Sequence, residues 1–425
     1  MVLKMRKMKA SGIEWIGEIP EGWEVGQIGQ LYSERRTKVS DKDYPPLSVT
    51  MKGILPQLST AAKTDAHDDR KLACKGDFAI NSRSDRRGSC GISEQDGSIS
   101  LINTVLQPRG EMNPGYYNWL FHTSMFADEF YKWGHGIVDD LWTTGWSDMK
   151  KISVPVPSKC EQKQLAEHLN VECSNIDSIL SKTRSSIEEY KKLKQAVITQ
   201  AVTKGVRGKR EMKDSGVDWI GEIPKEWSTP KIKRLHNGLT DGTHGTFNRI
   251  DSGHILLSSK NVREFGIQLG ENESFISEAD YNLITANGFP QKDDVLLCCI
   301  GASIGRCTLY EFEEAMAFQR SVIFIRCNSL ILPRMMMYVL RSSNTLLQEQ
   351  LLVNQSAQAG LYQGLVSEIF ISLPPISEQK EIIAYLDAKC AEIDRLIAKK
   401  EQLVKELESY KKSLIYEVVT GKQEV

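Results

Sequence analysis

Residues 8–23 read MKASGIEWIGEIPEGW, and residues 212–227 read MKDSGVDWIGEIPKEW. Trp15 aligns with Trp219 and Trp23 with Trp227 at an offset of 204, and Met8, Lys9, Ser11, Gly12, Ile16, Gly17, Glu18, Ile19 and Pro20 recur at the same spacing. A near-copy of this length marks a tandem duplication of a unit of about 200 residues, the size of one domain with a connector. A second repeat closes each unit. Residues 161–205 open on EQKQLAEHL, residues 378–422 open on EQKEIIAYL, and from Glu161/Glu378 to Thr203/Thr420 the offset is a constant 217. The difference of 13 falls in the segments between, where the two units stop resembling each other.

The closing blocks predict long helices. Pro155 and Pro157 precede the first, and Pro374 and Pro375 the second, each pair stopping any earlier element. Ser158 and Glu161 have capping-box spacing, Ser377 can cap the second helix, and Gly205 and Gly421 sit where a C-terminal glycine belongs. Mostly apolar residues recur in steps of four and three: Leu169, Cys173, Ile176, Leu180, Thr183, Ile187, Tyr190, Lys194 and Val197 in the first block, and Leu386, Cys390, Ile393, Ile397, Lys400, Val404, Leu407, Lys411 and Leu414 in the second. The average step of about 3.5 is a coiled-coil seam. A helix of roughly 40 residues is about 60 Å long, and one with a single greasy stripe needs a partner. The other copy is the simplest one, packed antiparallel about a pseudo-two-fold axis.

The 425 residues suffice for two to three domains, and with 26 % charged and 40 % hydrophobic residues the composition is that of an ordinary soluble chain. No apolar run approaches a membrane span. Nine cysteines without a CxxC point to a reducing cytoplasm rather than to disulfides or structural zinc. Net charge is −1, so any affinity for nucleic acid must come from segregated charge, such as Arg35, Arg36 and Lys38, or Lys231, Lys233 and Arg234.

The variable blocks mix short strands, glycine turns and helical stretches in the same order. LACKGDFAINS (72–82) and FPQKDDVLLCCIGASIGRCTLYE (289–311) read as turn, buried strand and glycine loop, followed by strands at 100–108 and 318–327 and helical stretches at 116–133 and 332–351. No catalytic constellation stands out. The string at Asn113–Tyr116 lacks the second proline of an adenine methyltransferase loop, GASIGR (301–306) has neither the spacing nor the lysine of a P-loop, and the histidines show no metal-ligand spacing.

The opening SGIEWIGEIPEGW, its repeat SGVDWIGEIPKEW, and the linkers VPVPSKCEQK and LPPISEQKE resemble the specificity subunit of type I restriction–modification systems over essentially the whole chain. The resemblance implies an α+β or α/β protein of two globular target recognition domains joined by two long helices in an antiparallel coiled coil. The domain plan is then a repeated segment (1–24), a first recognition domain (25–155), a spacer helix (156–205), the second repeated segment (206–228), a second recognition domain (229–373) and a closing spacer helix (374–425). It also implies a chain without an active site of its own. Each domain would read one half of an asymmetric, split site in double-stranded DNA, and the helices would set the gap. Two methyltransferase subunits, modifying adenine N6, and motor–nuclease subunits would assemble on the frame and use S-adenosylmethionine, ATP and Mg2+.

Polar residues at strand ends and glycine turns are the expected DNA contacts: Thr50, Lys52, Ser82, Arg83, Arg86 and Arg87 in the first domain, and Thr240, Asp241, Gly242, Thr243, His244, Lys260, Asn261 and Arg320 in the second. Trp15, Trp23, Trp219 and Trp227 are expected to anchor the domains on the helices or to touch partner subunits. Two other readings stay open: a scaffold or regulatory relative that binds only proteins, and a stand-alone DNA enzyme, against which the missing motifs count.

Overall fold

The computed structural model describes residues 6–57, 68–136, 142–286, 288–354 and 360–425. The chain divides into two compact units, Met1–Arg184 with Gln402–Val425, and Ser185–Glu401. Each takes a length of both long helices, Lys159–Lys204 (46 residues) and Ile376–Val419 (44 residues).

In the first unit Lys411 bonds Asp177 at 2.6 Å and Arg184 bonds Glu408 at 2.5 Å. Numbers rise on one helix as they fall on the other, so the helices run antiparallel. The second unit has the same sense: Lys194 bonds Asp394 at 2.8 Å, and Lys400 lies over the Tyr190 ring. Asp177 and Asp394, like Lys194 and Lys411, are equivalent at the offset of 217, so one ion pair is made twice with the helices exchanging roles. Leu169, Ile176, Leu180, Ile187, Leu386, Ile393 and Leu414 are buried, while Tyr190, Val197, Ile397, Val404 and Leu407 are half-buried.

Ser158 caps the first helix, and its capping box with Glu161 closes in both directions. Ser377 does not cap the second. That helix begins one residue earlier, at Ile376, and the Pro375 carbonyl accepts the Glu378 and Gln379 N–H groups, leaving Ser377 inside the first turn. Gly205 and Gly421 follow the two C-termini at φ of +76° and +71°, a conformation a Cβ disfavours.

Both units carry the same four-stranded antiparallel sheet. In the first the order is Cys90–Ile92, Phe78–Asn81, Asn103–Pro108, Tyr32–Glu34; in the second it is Cys307–Leu309, Val295–Cys298, Val322–Cys327, His236–Asp241. One acid sets the turn into the second-named strand of each. Asp77 accepts from the Cys74 N–H at 2.9 Å, and Asp294 from the Gln291 N–H at 2.8 Å. An arginine covers each acid: Arg35 on Asp77 and Arg326 on Asp294. A smaller three-stranded sheet flanks each main sheet. Its strands are antiparallel in the first unit, but in the second His254–Leu257 pairs in parallel with Ala317–Phe318. With antiparallel main sheets and helices gathered after them, the domains are α+β.

Each helical stretch expected as one element is two. Pro114–Phe121 gives way to Ser124–Lys132, and Pro333–Leu340 to Ser343–Asn354. A hydroxyl makes each break. Thr123 Oγ1 accepts from the Phe126 N–H and Ser342 Oγ from the Thr345 N–H, capping the second helix. The 13 extra residues of the second unit can be placed. The register pairs Tyr32 with Pro108 and His236 with Cys327, still at the first offset of 204, and by Phe78 and Val295 the offset is already 217. The insertion thus lies between His236–Asp241 and Val295–Cys298; the hairpin Val262–Ile267 there packs on Cys307–Leu309 as Leu47–Pro56 packs on Cys90–Ile92, and the helix Glu278–Ala286 is the element without a counterpart among the described residues of the first unit.

Candidate nucleic-acid interface

The repeated residues turn inward and build one joint twice. Trp23 donates its indole N–H to Glu161 at 3.1 Å, and Trp227 donates to Glu378 at 3.0 Å. Arg6 pairs with Glu161 and lies over the Trp23 ring, while Arg210 lies 2.6 Å from Glu378 and over the Trp227 ring. Arg210 meets Glu378 as an ion pair, at an angle outside hydrogen-bond geometry. Burial pushes the Glu161 carboxyl up, but bonds from Ser158, Arg6 and Trp23 outweigh it and hold it below the usual range. The next residue of the motif is a second fastener. Gln162 donates to the Pro157 carbonyl and accepts from the Asn113 N–H; Gln379 does the same with Pro374 and Leu332. The Glu-Gln pair therefore ties the start of each long helix to the repeated tryptophan and to the helical part of its domain.

The other repeated tryptophans diverge. Trp15 is 7 % exposed and packs edge-on against Phe126, whereas Trp219 is 37 % exposed. Thr345 occupies the position equivalent to Phe126, so the Trp219 ring lacks that aromatic neighbour.

The non-repeated polar residues gather at strand ends. In the second domain the turn after His236–Asp241 is stitched to the segment before Val322. Thr243 N–H donates to the Phe318 carbonyl at 2.7 Å, Arg320 N–H to the Thr243 carbonyl at 3.0 Å, and Gly242 N–H to the Val322 carbonyl at 3.1 Å. A Cβ on Gly242 would meet the carbonyl oxygens of Phe318 and Gln319, so only glycine fits this approach. Thr240, His244 and Arg320 are exposed around the stitch. Asp241 is partly buried and accepts from His244 Nε2 at 2.8 Å and from Gln363 at 2.7 Å. Lys260 is exposed and pairs with Glu273 at 3.0 Å. The Gly270 N–H bond, the Lys260 ion pair and the Asn261 bond hold the Glu273 carboxyl below the usual range. Asn261 is 1 % exposed and closes its own loop through Ser258, Gln268 and Glu273.

In the first domain Thr50 and Lys52 form the tip of the hairpin Leu47–Pro56, where Thr50 Oγ1 accepts from the Lys52 N–H. This hairpin packs on Cys90–Ile92, with Gly91 too close to the Gly53 backbone to bear a side chain. Ser82 is buried on Thr104; Arg83, Arg86 and Arg87 are exposed in the adjoining loop, with Arg87 held by Asp128 and the Tyr131 ring. Arginines held by one partner at a surface keep donors free for phosphate or base edges. Three of the other basic residues are paired with acids of the same chain: Arg35 with Asp77, and Lys231 and Lys233 at the surface with Glu368, whose carboxyl these bonds hold down at about 2.

Gln363 and Glu273 organise the second cluster, and the sequence reading passed over both. Gln363 lies 122 residues from Asp241, with no local signal linking them. Burial pushes the Cys298 and Cys299 thiols up to about 12, so both stay protonated at neutral pH. Among the described residues no cluster of His, Cys, Asp or Glu could hold a metal, and no helix is long and apolar enough to cross a membrane.

Residues 256–407 match the model of the type I restriction modification DNA specificity domain. Over 427 aligned residues the chain is 26 % identical to the type I restriction enzyme MjaVIII specificity subunit of Methanocaldococcus jannaschii, covering 95 % of this chain and 93 % of that protein. Its fold is similar to a chain in a structure on complex assembly and conformational transition of the type I R-M system, with a TM-score of 0.72 at 13 % identity, covering 94 % of this chain and 98 % of that one. It is also similar to the HsdS subunit from Thermoanaerobacter tengcongensis, with a TM-score of 0.51 at 15 % identity over 95 % of this chain and 98 % of that one. With the duplicated Arg–Glu–Trp joint, the antiparallel helices and the two like-ordered sheets, the chain is similar over nearly its whole length to type I restriction–modification specificity subunits, and residues 256–407 match their DNA specificity domain.

Proposed function

We propose that this chain reads DNA for a cytoplasmic type I restriction–modification complex and carries no active site of its own. One domain reads each half of an asymmetric, bipartite site, and the helices set the number of base pairs between the halves. Two adenine-N6 methyltransferase subunits, using S-adenosylmethionine, and motor–nuclease subunits, using ATP and Mg2+, assemble on the duplicated frame. The observation that carries this reading is a division of labour. Repeated residues such as Trp23, Glu161, Trp227 and Glu378 bond inward, while non-repeated polar residues such as Arg86, His244 and Arg320 face outward at strand ends and turns. A reader whose two halves differ in their exposed residues should recognise two different half-sites, by hydrogen bonds to base edges in the major groove. Phosphate contacts from Lys and Arg would supply salt-dependent affinity, shared with the partner subunits because this chain is nearly neutral.

The test is co-expression with the cognate methyltransferase subunit and mapping of N6-methyladenine across the host genome. One split motif methylated on both strands is the expected result. A stable complex that methylates no motif would point instead to a protein-binding scaffold.

A further inference from the structure

Asp241 and His244 form a pair whose chemistry is narrower than that of a generic polar surface. The Asp241 carboxylate has both oxygens engaged, Oδ2 by His244 Nε2 at 2.8 Å and Oδ1 by Gln363 Nε2 at 2.7 Å. Its side chain is 18 % exposed, while that of His244 is 60 % exposed. The backbone beneath them is fixed by the reciprocal bonds between Thr243 and residues 318–320, and by the close approach of Gly242. A rigid turn therefore presents one imidazole to solvent, clamped on a single edge by an acid that is itself clamped from the far side.

An ionised carboxylate only accepts hydrogen bonds, so the proton of a neutral His244 ring must sit on Nε2. The other nitrogen, Nδ1, then carries a lone pair and only accepts. In the major groove the groups that donate are the N6 amino group of adenine and the N4 amino group of cytosine; guanine and thymine present O6/N7 and O4 acceptors there.

We infer that His244 reads an exocyclic amino group, adenine N6 or cytosine N4, through Nδ1, and that Asp241, braced by Gln363, is the positioning residue that fixes the required tautomer. This rests on the DNA-reading function proposed above and adds to it the chemistry of one base position. It gives Gln363 a part in specificity although its own amide is turned inward. Asp241→Asn alters this without removing the side chain: the new amide can donate to Nε2, the ring can hold its proton on Nδ1, and a base presenting an acceptor becomes tolerated.

The experiment uses the assembled methyltransferase complex. The wild-type motif is mapped first; if no motif appears, both the inference and the DNA-reading function fall, before any variant is made. Given a motif, binding is then measured to duplexes in which the exocyclic amino group is deleted, one position at a time, in one half-site and then the other. At one position the wild type should lose about tenfold in affinity. His244→Ala should be weaker on the intact duplex and indifferent to that deletion, and Asp241→Asn should methylate sites carrying guanine or thymine there. His244 is exposed, so its alanine variant tests the idea even if Asp241→Asn lowers stability. If both variants discriminate at every position as the wild type does, the inference is overturned while the DNA-reading function stands.

Discussion

Trp227 donates its indole N–H to Glu378 at 3.0 Å, in a pocket where the Glu378 side chain is 3 % exposed. The equivalent bond from Trp23 reaches Glu161, whose side chain is 29 % exposed. One motif thus makes the same joint in two solvent environments, and the deeper copy should matter more. Glu378→Gln removes the charge facing Arg210 and should cost about 3 kcal/mol. Glu161→Gln should cost about 1 kcal/mol, because water can replace what is lost. Denaturant titration of the purified chain gives both values; equal losses would contradict the burial argument.

The duplicated ion pair in the helix seam makes a similar comparison. Lys194 is 9 % exposed and bridges Asp394 on the other helix and Glu264 of the hairpin Val262–Ile267. Among the described residues Lys411 pairs with Asp177 alone, which is 58 % exposed. Lys194→Met leaves two acids facing each other without a cation and should destabilise the chain by roughly 3–5 kcal/mol. Lys411→Met should change stability by less than about 1 kcal/mol. Melting curves of the two variants, measured side by side, check the ranking.

The frame was legible in the sequence because its residues were copied. Steps of four and three located the seam, and the spacing of Ser158 and Glu161 located a cap. The domains were harder to read, since their equivalent sheets are packed by different side chains. Tyr116, Tyr117 and Phe121 build an aromatic core in the first unit, and Met335, Met336 and Leu340 fill the equivalent positions in the second. Cores keep a fold when volume and pattern are kept, so identity fades while strand order does not. DGTHG was legible as a glycine turn and FQRS as the start of a strand, but their union depends on pairing between residues 240–243 and 318–322, far apart in the chain. Gln363 was invisible because its role exists only after folding, and Ser377 misled because Pro375 supplies the capping carbonyl itself.

Glu349 stands where the first unit has the buried Phe130, and its carboxylate has no hydrogen-bond partner among the described residues. Burial pushes its pKa up to about 8. Between the unfolded value near 4.5 and about 8 the folded chain holds a proton that the unfolded chain releases, so stability falls as pH rises through this window. Below the window the group is neutral in both states and the loss disappears. Glu349→Gln cannot ionise and should be more stable than the wild type at pH 8, by on the order of a few kcal/mol, with little difference at pH 5. Unfolding followed at both pH values tests this; a constant difference between the two proteins would refute it.

The helix seam also predicts how the recognised sequence responds to length. A seven-residue insertion keeps the heptad step and so preserves the buried stripe. Placed after Arg184 in one helix and after Glu401 in the other, it adds two turns to both, about 10 Å at about 1.5 Å per residue. At about 3.4 Å per base pair that equals roughly three base pairs. The methylated motif should keep both halves unchanged and widen its gap by about three. A four-residue insertion in the first helix alone, beside Arg184, should also lengthen the gap, but it breaks the pairing of Arg184 with Glu408 and of Lys194 with Asp394 and should lower the melting temperature as well. Mapping N6-methyladenine for each variant reads the gap directly, and an unchanged gap in the seven-residue variant would remove the helices from the determination of spacing.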